Sequence, residues 1–478
     1  MTPRRALLLS FLGLLAFAAF FLARPFLDGA PAYRPRPPGT AQAYSFLVVA
    51  AFAPYALAVW GARHGISLRW AVAGTIILHG LVLPAALVQS QDLYASLFYG
   101  KMWAVHHANP YVDLPLRFAS DPWFAWVRWP DQPSVYGPVW TLLSSGPARI
   151  SGGSLSTAFA VAKVAVAALG AATMAGLIRA ARFRGISPGL VVLLMAWNPL
   201  VIVSLPLAGH ADVAVTAALP WALVADRRGR PAVAALLLTG ATLVKAYAGV
   251  VLVVYLVALA RRSVKDAARG LGVSVAAAVA AWLPFWSGPE TLSGLARIGE
   301  RASSSLGGTI QLATATMLGD PVAAVVVRVT GAAVIIAVVV VVVRRHGFAQ
   351  DPWPAAAAAF ASYLLVTPWF LPWHLTGLLA LAAVAASSPL RAAAFTFSGM
   401  APLTASFGGV WWGRVLQTAI RYGVPAVAFT IAGRTERAGT QGRPLRPRPS
   451  PAGIPADPTP EDRSGPRPRS APPRPPPQ

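Results

Sequence analysis

QDLYASLFYGKMWAVHHANPYVDLP (residues 91–115), closed further on by WPDQPSVYGP (129–138), opens and ends the longest polar, aromatic-rich segment in an otherwise apolar chain. It holds four carboxylates (Asp92, Asp113, Asp121, Asp131) and two adjacent histidines (His106, His107). On both sides of it lie runs of Ala, Val and Leu. The contrast decides the fold class. Of 478 residues, 56% are hydrophobic and 12% charged, with a mean hydropathy of +0.58. A soluble globular chain carries about 25% charged residues. This composition predicts an all-α polytopic membrane protein, because a backbone in lipid must satisfy its hydrogen bonds within each helix. There are no cysteines, so disulfides and thiolate metal sites are excluded.

The formal charge is +24. Its arginines fall in short turns at 61–69, 179–184, 227–230, 261–269 and 344–345 and in the C-terminal tail. Alternating the apolar runs from a cytoplasmic N-terminus puts all of these on one side, as the positive-inside rule requires, and gives roughly 12–14 transmembrane helices. The charge is thereby accounted for without nucleic acid. Residues 91–154 and 287–309 then read as external loops. Outside the tail, Asp28, Asp92, Asp113, Asp121, Asp131, Asp212, Glu290, Glu300 and Asp320 map to the external side. Asp226, Asp266 and Asp351 map to the cytoplasmic side. Acidic residues contribute little to topology, so this asymmetry points to a polar reaction site outside. Two domains are expected: a transmembrane domain over 1–433 and a disordered, Pro/Arg-rich cytoplasmic tail over 434–478.

Several residues invite a chemical reading beside a plain one. Asp92 follows an apolar run, at the boundary of lipid and water. It reads equally as a base with tuned basicity or as a solvated helix-end carboxylate. Asn109, Pro110 and Tyr111, and the run from Val135 to Pro138 with Tyr136, are turn-forming pieces with aromatic rings. Such rings suit sugars and the membrane interface alike. Asp131 orients a sugar hydroxyl or caps a turn. His210 and Asp212 end an apolar run; their spacing alone is weak evidence for a metal site, and none is expected. Lys245 interrupts two apolar runs. An ionisable residue there is a functional candidate with an anionic partner such as phosphate, or a lysine that snorkels to the interface. Lys163 and Arg328 are weaker candidates of the same kind. His374, among Trp369, Trp373 and two prolines, donates to phosphate or belongs to the aromatic belt. No P-loop, Rossmann fingerprint, HExxH or GxSxG appears in a fitting context.

Asp92-x-Tyr94, NPY at 109–111, PSVYGP at 133–138, WNPL at 197–200, GHAD at 209–212, Lys245 and PWHL at 372–375 follow one another in order. The set resembles the GT-C superfamily of polytopic glycosyltransferases. Within it, the chain is similar to the actinobacterial polyprenol-phosphate-mannose-dependent α-mannosyltransferases of lipomannan and phosphatidylinositol mannosides. The resemblance implies about a dozen helices, external loops and a cavity facing the bilayer. It implies inverting transfer of mannose from a polyprenyl-phosphate sugar to a lipid-linked or glycan acceptor on the external face of the plasma membrane. No cofactor beyond that donor is implied. Asp92 would be the general base, and Lys245 and His374 would stabilise the leaving phosphate. His210, Asp212, Tyr94, Asn109, Tyr111, Asp131 and Tyr136 would line or shape the cavity. A transporter or flippase of a lipid-linked substrate is the other reading. It would require inverted repeats and polar residues at mid-membrane, and neither is evident.

Overall fold

The computed structural model describes residues 1–28, 40–85, 87, 90–294, 305–345, 347–403 and 411–441. The Pro-rich segment 29–39, Glu300 with its neighbours in 295–304, and the tail from 442 lie outside the described residues. Among the described residues there is no strand. The α-helices are α1 Pro3–Asp28, α2 Thr40–Ala50, α3 Phe52–Arg63, α4 Leu68–Val82, α5 Asp92–Ala104, α6 Pro138–Ile150 and α7 Leu155–Phe183. Then come α8 Pro188–Ala196, α9 Pro199–Ile202, α10 Asp212–Arg227, α11 Pro231–Val244, α12 Gly249–Arg262 and α13 Val264–Trp282. The last are α14 Leu306–Leu318, α15 Asp320–Val343, α16 Trp353–Val366, α17 Leu375–Val384, α18 Ser388–Met400 and α19 Trp411–Gln441. The chain divides into two units, Met1–Gly433 and Arg434–Gln478.

Local chemistry sets the helix starts. Ser154, Ser187 and Ser263 accept the backbone N–H three residues on, beginning α7, α8 and α13. Such caps satisfy donors that the first turn leaves orphaned. Pro188 and Pro231 take first-turn positions, where their missing N–H costs nothing.

Five helices are long and apolar enough to cross a membrane: Pro3–Ala23, Ala43–Arg63, Leu155–Phe183, Val264–Phe285 and Asp320–Val343. The protein is an all-α, multi-pass membrane protein. Pro188–Ala196 and Pro199–Leu207 form a sixth span only if counted together, bent by 61° at Asn198. Others among the roughly 12–14 expected spans are shorter, at Leu68–Val82, Pro231–Val244, Trp353–Val366 and Pro372–Val384. Asn198 breaks the run Pro188 to Leu207, which hydropathy alone reads as continuous. The expected external loop 91–154 also differs: it contains helices α5 and α6, packed on each other. The segment carries Tyr, Ser and Lys, yet α5 buries Leu93 and every residue from Ala95 to Met102.

At one end of the bundle the basic turns neutralise the two acids beside them. Asp226 accepts from Arg262 at 2.6 Å, from Trp353 Nε1 at 2.9 Å and from Tyr255 at 3.0 Å. Asp351 pairs with Arg184 at 2.8 Å and with Arg227 at 3.1 Å. Helix α10 packs against α7, α11 and α17 and joins Asp226 to Asp212 across about 21 Å. Asp212 therefore belongs to the opposite end.

Candidate active site

At that opposite end the chain converges from five directions. Ser90 Oγ accepts the Asp92 N–H at 3.1 Å, fixing the start of α5. Ser96 Oγ donates to the Asp92 carbonyl at 2.7 Å and accepts from Trp140 Nε1 at 2.9 Å, which ties the first turn of α5 to α6. After the bent pair, a π-helical turn at Val203–Leu207 delivers the chain to Gly209. Gly209 has φ +67°, and a Cβ there would lie 2.8 Å from Leu93 Cδ2. Glycine alone makes this left-handed turn cheaply, and it presses against the residue after Asp92. His210 follows, buried and stacked on Trp373 with ring centroids 3.9 Å apart. Its Nδ1 stands 3.4 Å from Asp92 Oδ2. This approach is longer than a well-directed hydrogen bond.

Asp212 is fully buried and accepts the Tyr247 hydroxyl. Lys245 Nζ lies 3.2 Å from its other oxygen, held by charge more than by direction. Lys245 is placed by a break: its extended backbone (φ −142°) ends α11 before a 3₁₀ turn at Ala246–Ala248. Gly137 donates to the Val244 carbonyl at 3.0 Å, and a Cβ on it would fall 1.9 Å from the Leu243 oxygen. That close approach sets the Tyr136 ring 5.3 Å from Lys245 Nζ. His374 accepts the Leu371 N–H on Nδ1 at 3.3 Å, and its ring lies 5.1 Å from that of Tyr247.

These groups surround a cavity of about 510 Å³, within the range of small-ligand sites. Asp92, Tyr136, Lys245 and His374 line it directly, with Tyr99, Arg128, Trp129, Tyr247, Tyr363, Trp369 and Trp373. Burial pushes the Asp92 carboxyl up. The His210 contact, the Ser90 bond and the Lys245 charge outweigh burial and hold it below the usual carboxylate range. The wall therefore carries an ionised carboxylate at neutral pH, beside a lysine already shared with a second carboxylate. Tyr and Trp rings line much of the rest. That combination can deprotonate a hydroxyl and hold a ring with its polar edges free.

Residues 39–261 match the MptA_B_family, alpha-(1->6)-mannopyranosyltransferase, N-terminal domain. Over those residues, a little under half of the chain, the sequence is similar to this mannosyltransferase family. The protein is a membrane glycosyltransferase of the GT-C type. Comparison with curated proteins and with solved structures found no match. The matched stretch carries Asp92, His210, Asp212 and Lys245 and stops short of His374.

The fold does not bring every expected residue to the cavity. Tyr94 packs between Trp126 and Phe159, with centroids at 4.8 and 5.3 Å. Asn109 donates to the Phe285 carbonyl at 2.6 Å and to Ser287 Oγ at 2.8 Å, pinning its turn to the end of α13. The buried Tyr111 hydroxyl meets Thr141 Oγ1 at 2.8 Å, and its ring sits against Trp282 and Phe285. Asp131 is exposed and accepts from the neighbouring Gln132 at 3.1 Å. His106 contacts Asp121 at 2.8 Å, and Asp121 also holds Lys101 at 2.7 Å and the Trp123 N–H at 2.8 Å. Burial raises the Asp121 carboxyl, and those partners more than offset it, keeping it low. Arg328 bonds its own helix at the Ala324 carbonyl, 3.0 Å away. Among the described residues, no group of three or more His, Asp or Glu has the spacing to hold a metal ion. Arg128, Tyr247 and Tyr363 were not singled out by sequence. Two signals were available: an arginine on the side where positive charge is scarce, and a tyrosine two residues after Lys245.

Proposed function

We propose that the protein transfers mannose from a polyprenyl-phosphate mannose to a hydroxyl of a glycan or glycolipid acceptor, with inversion, on the non-cytoplasmic face of the plasma membrane. One observation carries this reading: an ionised, partly exposed Asp92 forms the wall of a cavity whose other charged groups are cations. The acceptor oxygen attacks the anomeric carbon while the carbon–oxygen bond to phosphate breaks. The bonding electrons leave with the phosphate, and the acceptor proton passes to Asp92. Phosphate leaves without strong protonation, so one carboxylate suffices where glycosidases need two. The basic turns gather at the end away from the cavity, which supports this sidedness. Membranes containing the protein, a β-linked polyprenyl-phosphate mannose and an α-(1→6)-mannoside acceptor should form an α-linked product. Retention of the donor's β configuration, or no transfer, overturns the reading.

The charges divide the work on the phosphate. Lys245 is committed to Asp212. Arg128 lines the same cavity, exposed, with no carboxylate partner among the described residues. The phosphate charge grows as the bond to the sugar breaks, so a guanidinium at the cavity wall, resting on the Trp129 ring and not tied to a carboxylate among the described residues, is the natural anchor. Arg128→Gln should raise the donor KM by roughly tenfold to a hundredfold, the range of one charge-assisted hydrogen bond. Inhibition by free polyprenyl phosphate should weaken in parallel. Unchanged product inhibition would assign the phosphate to Lys245 and His374 alone.

A further inference from the structure

Lys163 lies two turns into the span α7, buried, with no carboxylate partner among the described residues. Its Nζ donates to the Pro206 carbonyl at 2.7 Å and to the Leu207 carbonyl at 2.5 Å. An ammonium inside a membrane span is costly and needs a reason. The reason lies in the carbonyls of the π-helical turn. Those of Val203, Ser204 and Leu205 are taken by the N–H groups of Ala208, His210 and Gly209. The carbonyls of Pro206 and Leu207 remain, at the negative end of a helix where a cation is favoured. Lys163 takes both. Three residues beyond Leu207 stands His210, and five beyond it Asp212.

We infer that Lys163 is a positioning residue for the sugar transfer: by capping the π-turn, it sets the Gly209 reversal and so holds His210 against Asp92. This rests on the reading of Asp92 as the base. The groups facing Asp92 are His210, Lys245, Tyr136 and His374, drawn from four separate segments. Only His210 lies on the segment that Lys163 caps.

The test is the pH profile of mannose transfer in membranes, with polyprenyl-phosphate mannose as donor. Lys163→Gln should lower kcat tenfold or more at neutral pH and leave the donor KM within about threefold. Its acid limb should move up toward the ordinary carboxylate range, because His210 no longer holds Asp92 ionised. Combining it with His210→Gln should add no further loss, since both changes remove one contact. Lys163→Arg keeps the charge but replaces a point donor with a planar fork; it should accumulate normally and move the limb part-way. If only the arginine variant accumulates, its limb alone decides. An acid limb unmoved in the variants, or losses that multiply in the double variant, overturns the inference. Transfer retained by Asp92→Asn would remove the base reading and this inference with it. An inactive Asp92→Asn with unmoved limbs would remove this inference alone.

Discussion

Asp92→Asn lowers mannose transfer by about 10²–10⁴-fold, the usual contribution of a positioned general base, while the protein still inserts in the membrane. The amide has the shape of the carboxyl and keeps the Asp92 N–H on Ser90 Oγ, so α5 starts in the same place. What is lost, on the proposed mechanism, is the negative charge and basicity that would take the acceptor proton. The side chain is about one-quarter exposed to the cavity, so the neutral amide is not stranded in a dry interior. The pH dependence has a definite sign. The folded carboxyl titrates below its unfolded value. Its ionisation therefore contributes stability that is fully present above the unfolded value and lost as pH falls through the folded one. Transfer by the unaltered protein should then be flat through neutral pH and fall only below the ordinary carboxylate range. Near-normal transfer by Asp92→Asn, measured with radiolabelled donor, would end the assignment of Asp92 as the base.

Fold class was legible from hydropathy and the arginine turns because both follow from the cost of polar groups in lipid. Where spans end was less legible. Lys245 marks its break in the sequence, but Asn198 cuts a run, Pro188 to Leu207, that reads as continuous, and only the structure shows that α8 and α9 are separate pieces. Residues 91–154 misled in the other direction. Polar and aromatic side chains suggested a loop, but Tyr99 and Lys101 are buried as helix α5 packs on α6. Within the candidate site, the residues that meet are those at helix ends: Asp92 opens α5, Asp212 opens α10, Lys245 closes α11 and His374 precedes α17. An ionisable group buried at a helix end has few places to go. Asn109, Tyr111 and Asp131 lie inside turns. There the same side chains serve local bonds, as when Asn109 Oδ1 accepts the Tyr111 N–H at 3.1 Å. Composition does not tell those bonds from a bound sugar's.

Lys245→Met should cost about 3–5 kcal/mol of stability, the price of leaving a buried charge without its partner. Asp212 has no exposed surface, and after the change it keeps only the Tyr247 hydroxyl and the more distant histidines. The loss should appear as a lower thermal midpoint for the detergent-extracted protein and less of it in the membrane. Asp212→Asn alone strands the lysine less severely, since Lys245 borders the cavity and reaches water there. The double variant Asp212→Asn, Lys245→Met carries no uncompensated charge and should regain most of the stability. Its coupling should exceed about 1 kcal/mol, as for groups in direct contact. Transfer should not return with the fold. Lys245 presents its charge to the same cavity as Asp92, and a methionine offers nothing to a phosphate leaving with two negative charges. Stability and activity thus separate in one set of four proteins. If the double variant is as unstable as Lys245→Met, the ion pair is not what holds α10 to α11 at this end. If it transfers mannose at the original rate, Lys245 serves the fold alone and the phosphate is left to Arg128.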